Sequence, residues 1–167
     1  MPASAPALTR VVADVGGTNT RIALFDPARG EFRALSSYIN RDQRSLEDIF
    51  EQWLRDLPEP APDQCCLAVA APPSGDRVEM VNIDWSFSCS ELATRFGFRR
   101  LRRINDFQAN AYALPHLRDS ERQLLHPGEA GPQDRLATLG PGTGLGGAIL
   151  QRDAGLALSH ACEPGHM

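Results

Sequence analysis

The segment VVADVGGTNTRIALFD, Val11 to Asp26, decides how the rest of the chain is read. Its two halves, RVVADV and RIALFD, are β-rich runs, and the Gly-Gly-Thr-Asn between them is turn material. In a dinucleotide-binding fold the glycines lead from a strand into a helix. Here Thr20 to Phe25 continue as a second β-run, so that reading loses its required context. A tight hairpin can instead turn successive N–H groups of Gly16, Gly17, Thr18 and Asn19 toward a phosphate, with no lysine needed. Asp14, near the end of the first strand, then faces a phosphate-bound Mg²⁺, since that ion prefers hard oxygen ligands and keeps several waters. An ordinary hairpin with glycine in its turn accounts for the same residues, and this segment alone does not separate the two. A second glycine turn favours the phosphate. LGPGTGLGG, Leu139 to Gly147, again sits between two β-runs and offers Thr143 flanked by the N–H groups of Gly142 and Gly144. Two such turns can clamp one triphosphate from opposite sides.

Composition narrows the classes. With 167 residues and 42% hydrophobic content, the chain can bury one core and has room for one domain, or one domain and part of another. A net charge of -4 argues against a general nucleic-acid binder. No apolar run approaches the roughly 18 residues of a membrane span, and the opening MPASAPALT lacks the basic-then-apolar pattern of a signal peptide. Residues 1–9 are expected to be a disordered tail. All 17 basic residues are arginine. The absence of lysine excludes a P-loop ending in G-K-[ST], a protein-kinase lysine and any Schiff-base mechanism. Cys65, Cys66, Cys89 and Cys162 form no C-x-x-C pair and no zinc spacing, so reduced thiols in a cytoplasmic protein are expected.

Strands and helices alternate along the chain. EFRALSSYI follows the first two strands as a third, completing an antiparallel meander. Ser45 is a helix N-cap, and SLEDIFEQWL then places Leu46, Ile49, Phe50, Trp53 and Leu54 on one face. CCLAVAAP reads as a buried strand, with Cys65 and Cys66 as small core residues. GDRVEMVNIDWSFS reads as a short strand and loop. Ser88 caps a helix that ends at Gly97, FRRLRRIND is a strand, and DFQANAYALPHL is a helix stopped by Pro115. RLATLG, GGAILQ and LALSHA supply the last β-runs, after a loop from Asp119 to Asp134. This order predicts an α/β sandwich of mixed sheet and helices. RRLRR, Arg99 to Arg103, alternates its side chains across a strand, which makes it a solvated edge rather than a binding patch. His116, His126 and His160 read as surface residues, and Phe32, Phe96 and Phe98 as core.

The motifs resemble a known group. D-V-G-G-T-N, Asp14 to Asn19, resembles the first phosphate motif of the actin, hexokinase and Hsp70 superfamily, and G-T-G, Gly142 to Gly144, resembles its second. LAVAAPPSGDRVEMVNIDWSFS and INDFQANAYALPHL are similar to segments of bacterial glucokinases, and CEPGH is similar to the E-x-G-H sugar motif that follows in that family. Five segments occur in family order, covering nearly the whole chain from Val11. The resemblance implies a ribonuclease H-like α/β fold, as in the actin and hexokinase ATPases, with a mixed sheet and flanking helices. Residues 10–116 would form a small domain, and 117–167 the beginning of a large one left incomplete.

The resemblance also implies an activity, the ATP-dependent phosphorylation of glucose to glucose 6-phosphate at the entry to glycolysis, with Mg²⁺. Asp106, the acid of the N-D pair, would be the general base, because a sugar hydroxyl needs a positioned carboxylate to take its proton as it attacks the γ-phosphoryl group. The same residue reads as a helix cap, and the two roles can coexist. Asn105, Asp106, Glu163 and His166 would contact the sugar, with Asn82 lining the same cleft. Asp14 would hold Mg²⁺ through water, and Gly16, Gly17, Thr18, Asn19, Gly142, Thr143 and Gly144 would hold the nucleotide. Bacterial glucokinases are longer than this chain, so a later sugar-binding glutamate, the adenine pocket and the closing helix lie beyond it. Pro164 stands where the family usually has glycine, which is expected to alter the backbone beside Glu163. Two alternatives are a member of the related ROK group of sugar kinases and repressors, and a non-catalytic sugar-binding module. NDFQAN and NIDWSFS favour the glucokinase branch over the ROK group. Glucose and ATP are the expected partners, with no nucleic acid or membrane. Apolar surface on LATLG and GGAILQ is expected to drive homodimer formation or other self-association.

Overall fold

The computed structural model describes residues 9–72, 75–80, 82–128, 135–141, 145–153 and 156–162. The run RVVADV forms strand β1 (Arg10–Val15), which buries alternate residues Val11, Ala13 and Val15. It pairs antiparallel with β2 (Asn19–Asp26), and β2 with β3 (Glu31–Ile39), giving the expected meander. The β2–β3 turn is built by Asp26, whose side chain accepts from the N–H of Ala28 at 2.9 Å, and by Gly30 in a left-handed conformation.

Helix α1 (Leu46–Arg55) starts where Ser45 accepts a hydrogen bond from the Asp48 N–H at 3.2 Å. It buries Leu46, Ile49, Phe50 and Trp53, while Leu54 is half-buried against the same core. Burying a side chain of this size is worth roughly 1.5–3 kcal/mol, so this face is what holds the helix on the sheet. Strand β4 (Gln64–Val69) pairs parallel with β1, and it is buried on one face rather than throughout. Cys65, Leu67 and Val69 point into the core while Cys66 is half-buried. The segment expected as one short strand and a loop is a hairpin of β5 (Arg77–Glu79) and β6 (Ser86–Ser88). Ser88 then caps α2 (Cys89–Phe96), and Gly97 closes it at φ 72°. Strand β7 (Arg100–Asn105) pairs parallel with β4 and completes a sheet of order β3-β2-β1-β4-β7. β7 is an edge strand, and Arg99 pairs with Asp63 at 2.8 Å.

The sequence reading of Phe32 needs correction. Its side chain is 63% exposed, because β3 is the other edge strand and Phe32 pairs with Phe25 on the face turned away from the buried residues Leu24 and Asp26. Phe98 is core, and Phe96 is partly buried against it.

The chain divides into two compact units, the first ending at Asp106 and the second beginning at Phe107. Sequence alone put the boundary after His116. In the second unit α3 (Asp106–Ala113) lies on a three-stranded antiparallel sheet of β8 (Arg135–Pro141), β9 (Leu145–Asp153) and β10 (Leu156–Cys162), with β9 central. Ala111 packs with Ala148 and Leu150, flanked by Phe107, Tyr112 and Leu136. Hydrogen bonds tie the helix to β10: the Gln108 side-chain amide donates to the Ser159 carbonyl at 2.8 Å, and the Ser159 N–H donates to the Tyr112 hydroxyl at 3.2 Å. Pro115 follows α3 within a 3₁₀ turn, Leu114–His116. The opposite face of this sheet exposes Leu139, Leu145, Ile149, Leu156 and Leu158. Among the described residues no helix is long and apolar enough to cross a membrane.

Candidate active site

Three parallel strands end level with one another. Val15 of β1 is paired with Val69 of β4, and Val69 with Asn105 of β7, so the chain leaves all three at one edge of the sheet. Ligands in open α/β sheets bind off the carboxyl ends of parallel strands, where side chains and loop amides converge without blocking the sheet. Asp14, the Gly16 to Asn19 turn, Asn105 and Asp106 all lie at this edge.

The turn is anchored from behind. Gly16 N–H donates to the Asn19 carbonyl at 3.0 Å. The backbone N–H of Asn40 donates to the Thr18 carbonyl at 2.8 Å, and its side-chain amide donates to the Gly16 carbonyl at 2.7 Å. The Thr20 hydroxyl donates to Asn40 Oδ1 at 2.8 Å, and both of these residues are fully buried. Thr18 and Asn19 are exposed. A Cβ added to Gly17 would come within 2.9 Å of the Asn82 Cβ, so Asn82 lies against the turn and close approach is what requires glycine there.

The carboxylate of Asp14 feels the charge of a second one at this edge. Asp14 is about half-exposed and meets Arg21 across the β1–β2 pair, with Oδ2 to Nη1 at 3.4 Å. Burial pushes its carboxyl above the usual range, the Arg21 guanidinium pulls it down, and the charge of Asp106 pushes it up again. The net direction is upward. A long, exposed ion pair of this kind is worth little, which is why Arg21 does not win. Asp106 is the first residue of α3, at the positive end of the helix, where a carboxylate is favoured. Asn105 is buried, and its side-chain amide donates to the Ala71 carbonyl at 3.4 Å. Arg103 donates to the carbonyls of Pro72 and Gly75, which binds the loop after β4 to β7.

Among the described residues no group of three or more His, Cys, Asp or Glu side chains is placed to hold a metal. Magnesium does not require one, since it keeps several waters and takes one or two carboxylates together with substrate phosphates. Asp14, a half-exposed carboxylate next to the turn, fits that donor set. The first turn, Asn82, Asn105 and Asp106 are therefore gathered in the first unit, whereas Gly142, Thr143, Gly144, Glu163 and His166 lie outside the described residues. Sequence reasoning missed Thr20, Asn40 and Arg21. Asn40 follows the third strand run directly, with no motif around it, so no local signal marks it.

Comparison with known proteins places this architecture. The glucokinase family model matches residues 11–167. A glucokinase from Chromohalobacter salexigens is 39% identical over 140 residues, covering 84% of this chain and 44% of that protein. Among solved structures, a glucokinase from an Antarctic psychrotroph superposes with a TM-score of 0.83 at 38% identity, covering 96% of this chain and 51% of the other. A Balamuthia mandrillaris glucokinase, solved in complex with glucose, gives 0.71 at 25% identity, with 97% of this chain and 49% of the other covered. The chain spans about half the length of the relatives it matches. Its fold is the ribonuclease H-like α/β fold of the actin and hexokinase ATPases, with the second domain incomplete. A match that runs from the first strand through the glycine turns to the end, on a backbone this close, has one meaning: the chain belongs to the glucokinase family.

Proposed function

We propose that this chain supplies the first phosphate turn, the general base and part of the sugar site of a glucokinase that transfers the γ-phosphoryl group of ATP to glucose. The observation that carries this reading is the convergence of Asp14, the Gly16 to Asn19 turn, Asn82, Asn105 and Asp106 on the carboxyl edge of β1, β4 and β7. Asp106 takes the proton of the attacking glucose hydroxyl, the oxygen bonds to the γ-phosphorus, and ADP leaves with the electrons of the broken bond. Asn82, Asn105, Glu163 and His166 hold the other hydroxyls, each of which both donates and accepts. The N–H groups of Gly16 to Asn19 bind phosphate oxygens of the nucleotide, and Gly142, Thr143 and Gly144 are assigned to the nucleotide as well. Mg²⁺, held through water by Asp14, would offset the phosphate charge. Its two positive charges would also relieve the repulsion that Asp106 imposes on Asp14. We place the protein in the cytoplasm, in keeping with its four free cysteines.

The test is a coupled assay for ADP release with glucose and MgATP, run on this chain and on the full gene product. Glucose-dependent ADP release by the full product is expected. Sugar binding without turnover would replace this reading with a non-catalytic module.

A further inference from the structure

Asn40 belongs to none of the motifs, yet each of its polar groups is engaged, and all but its carbonyl hold the first glycine turn or the residue just after it. It is fully buried, and an amide left unpaired there would be costly. Its backbone N–H holds the Thr18 carbonyl, its side-chain N–H holds the Gly16 carbonyl, its Oδ1 accepts from Thr20, and its own carbonyl accepts from Gln43 N–H at 3.0 Å. The orientation of the amide is determined by chemistry: a carbonyl only accepts, so the nitrogen must face Gly16. The Thr20 hydroxyl then completes the assignment by donating to the oxygen.

The consequence follows from peptide geometry. Among the described residues no peptide bond is cis, and across a trans peptide a carbonyl and the next N–H point in opposite directions. Drawing the Gly16 and Thr18 oxygens back onto Asn40 therefore aims the N–H groups of Gly17 and Asn19 the other way, away from Asn40. Donors held in place before an anion arrives cost no reorganisation when it does. We propose that Asn40, oriented by Thr20, is a positioning residue that presets the Gly17 and Asn19 N–H groups for a nucleotide phosphate, an inference that rests on the phosphoryl-transfer reading above.

Two measurements on the full gene product test it. Asn40→Ala is expected to raise KM for MgATP by about tenfold, the size of one lost hydrogen bond, while kcat and KM for glucose stay within about twofold. Thr20→Val should shift KM for MgATP in the same direction by less, and Thr20→Ser, which keeps the hydroxyl, should restore the parent value. Equal changes in both KM values, or a Thr20→Ser variant no better than Thr20→Val, would overturn the proposal. The second measurement needs no substrate. Backbone ¹⁵N order parameters of Gly17 and Asn19 should fall in Thr20→Val from about 0.85, the rigid value, toward about 0.6. Rigid amides in that variant would also overturn it. A parent protein with rigid amides but no glucose turnover would sink the kinase reading alone, and the order parameters would still decide the role of Asn40.

Discussion

The ring of Phe107 lies directly over Gly146, so closely that a Cβ on that glycine would collide with the ring. Gly140, the cross-strand partner of Gly146, forms the rest of the floor, with its added Cβ 2.8 Å from the same ring. The residue after the proposed base is thus seated in a slot that only a glycine pair leaves open.

Gly146→Ala is therefore expected to destabilise the protein by about 1–3 kcal/mol through forced displacement of the ring, as overpacking generally does. Gly128→Ala, where an added Cβ meets nothing within 4 Å, is the neutral control. Urea denaturation of the full gene product compares them. Equal midpoints for the two variants would mean that the ring does not occupy the slot.

Asp106→Asn should abolish most phosphoryl transfer while leaving glucose binding largely intact. Asparagine has the same volume but cannot take the hydroxyl proton, and loss of a general base costs on the order of 10² to 10⁴ in rate. Retention of kcat would reduce Asp106 to a helix-terminal residue.

Asp14→Ala should weaken Mg²⁺-dependent turnover far more than glucose binding, because the proposed role of the acid is toward the metal and not toward the sugar. Titration of activity with Mg²⁺, alongside a glucose-binding isotherm, distinguishes the two. Losses of the same size in both would point to a purely structural hairpin.

Asp76 supplies a pH dependence. Its carboxylate accepts from the Ser88 hydroxyl, from the Ser90 N–H at 2.9 Å and from the Ser90 hydroxyl at 3.0 Å, and these bonds hold it below the ordinary value of 3.8. A carboxyl with a lowered folded-state pKa gives stability that is complete above the unfolded value and is lost as the pH falls through the folded one. Asp76→Ala should melt below the parent at neutral pH, and the two melting temperatures should converge as the pH drops below 3.8. A gap that stays constant across that window would show that the charge plays no part.

The bare face of the β8–β10 sheet should make the 167-residue chain self-associate. Leu139, Leu145, Ile149, Leu156 and Leu158 share that face, and Leu156 is 70% exposed. Contiguous apolar surface of this kind tends to be buried by association. Light scattering is expected to report a dimer or larger species for the chain by itself, and Ile149→Lys with Leu158→Glu should shift it toward monomer. A monodisperse monomer without those substitutions would refute the expectation.

Much of the fold was legible because its signals are local. Period-two burial in RVVADV, the Ser45 and Ser88 caps, the α1 face and the glycine closing α2 each depend on residues within a few positions of one another. The D-V-G-G-T-N turn and the N-D pair could be singled out for the same reason, as short motifs that carry their chemistry with them. What needed the tertiary structure is non-local. The exposure of Phe32 follows from its place on an edge strand with its side chain turned from the buried face, which only pairing and register determine. The packing of Phe107 and Ala111 in the second unit is not legible around α3, because the glycine slot and small residues that receive them come tens of residues later. The parallel alignment of β1, β4 and β7 brings Asp14 and Asp106 to one edge from opposite ends of the first unit. Asn40 reaches back to carbonyls more than twenty residues earlier, and its place behind the glycine turn is set by the closing of the β2–β3 meander, a through-space event that no stretch of sequence around it encodes.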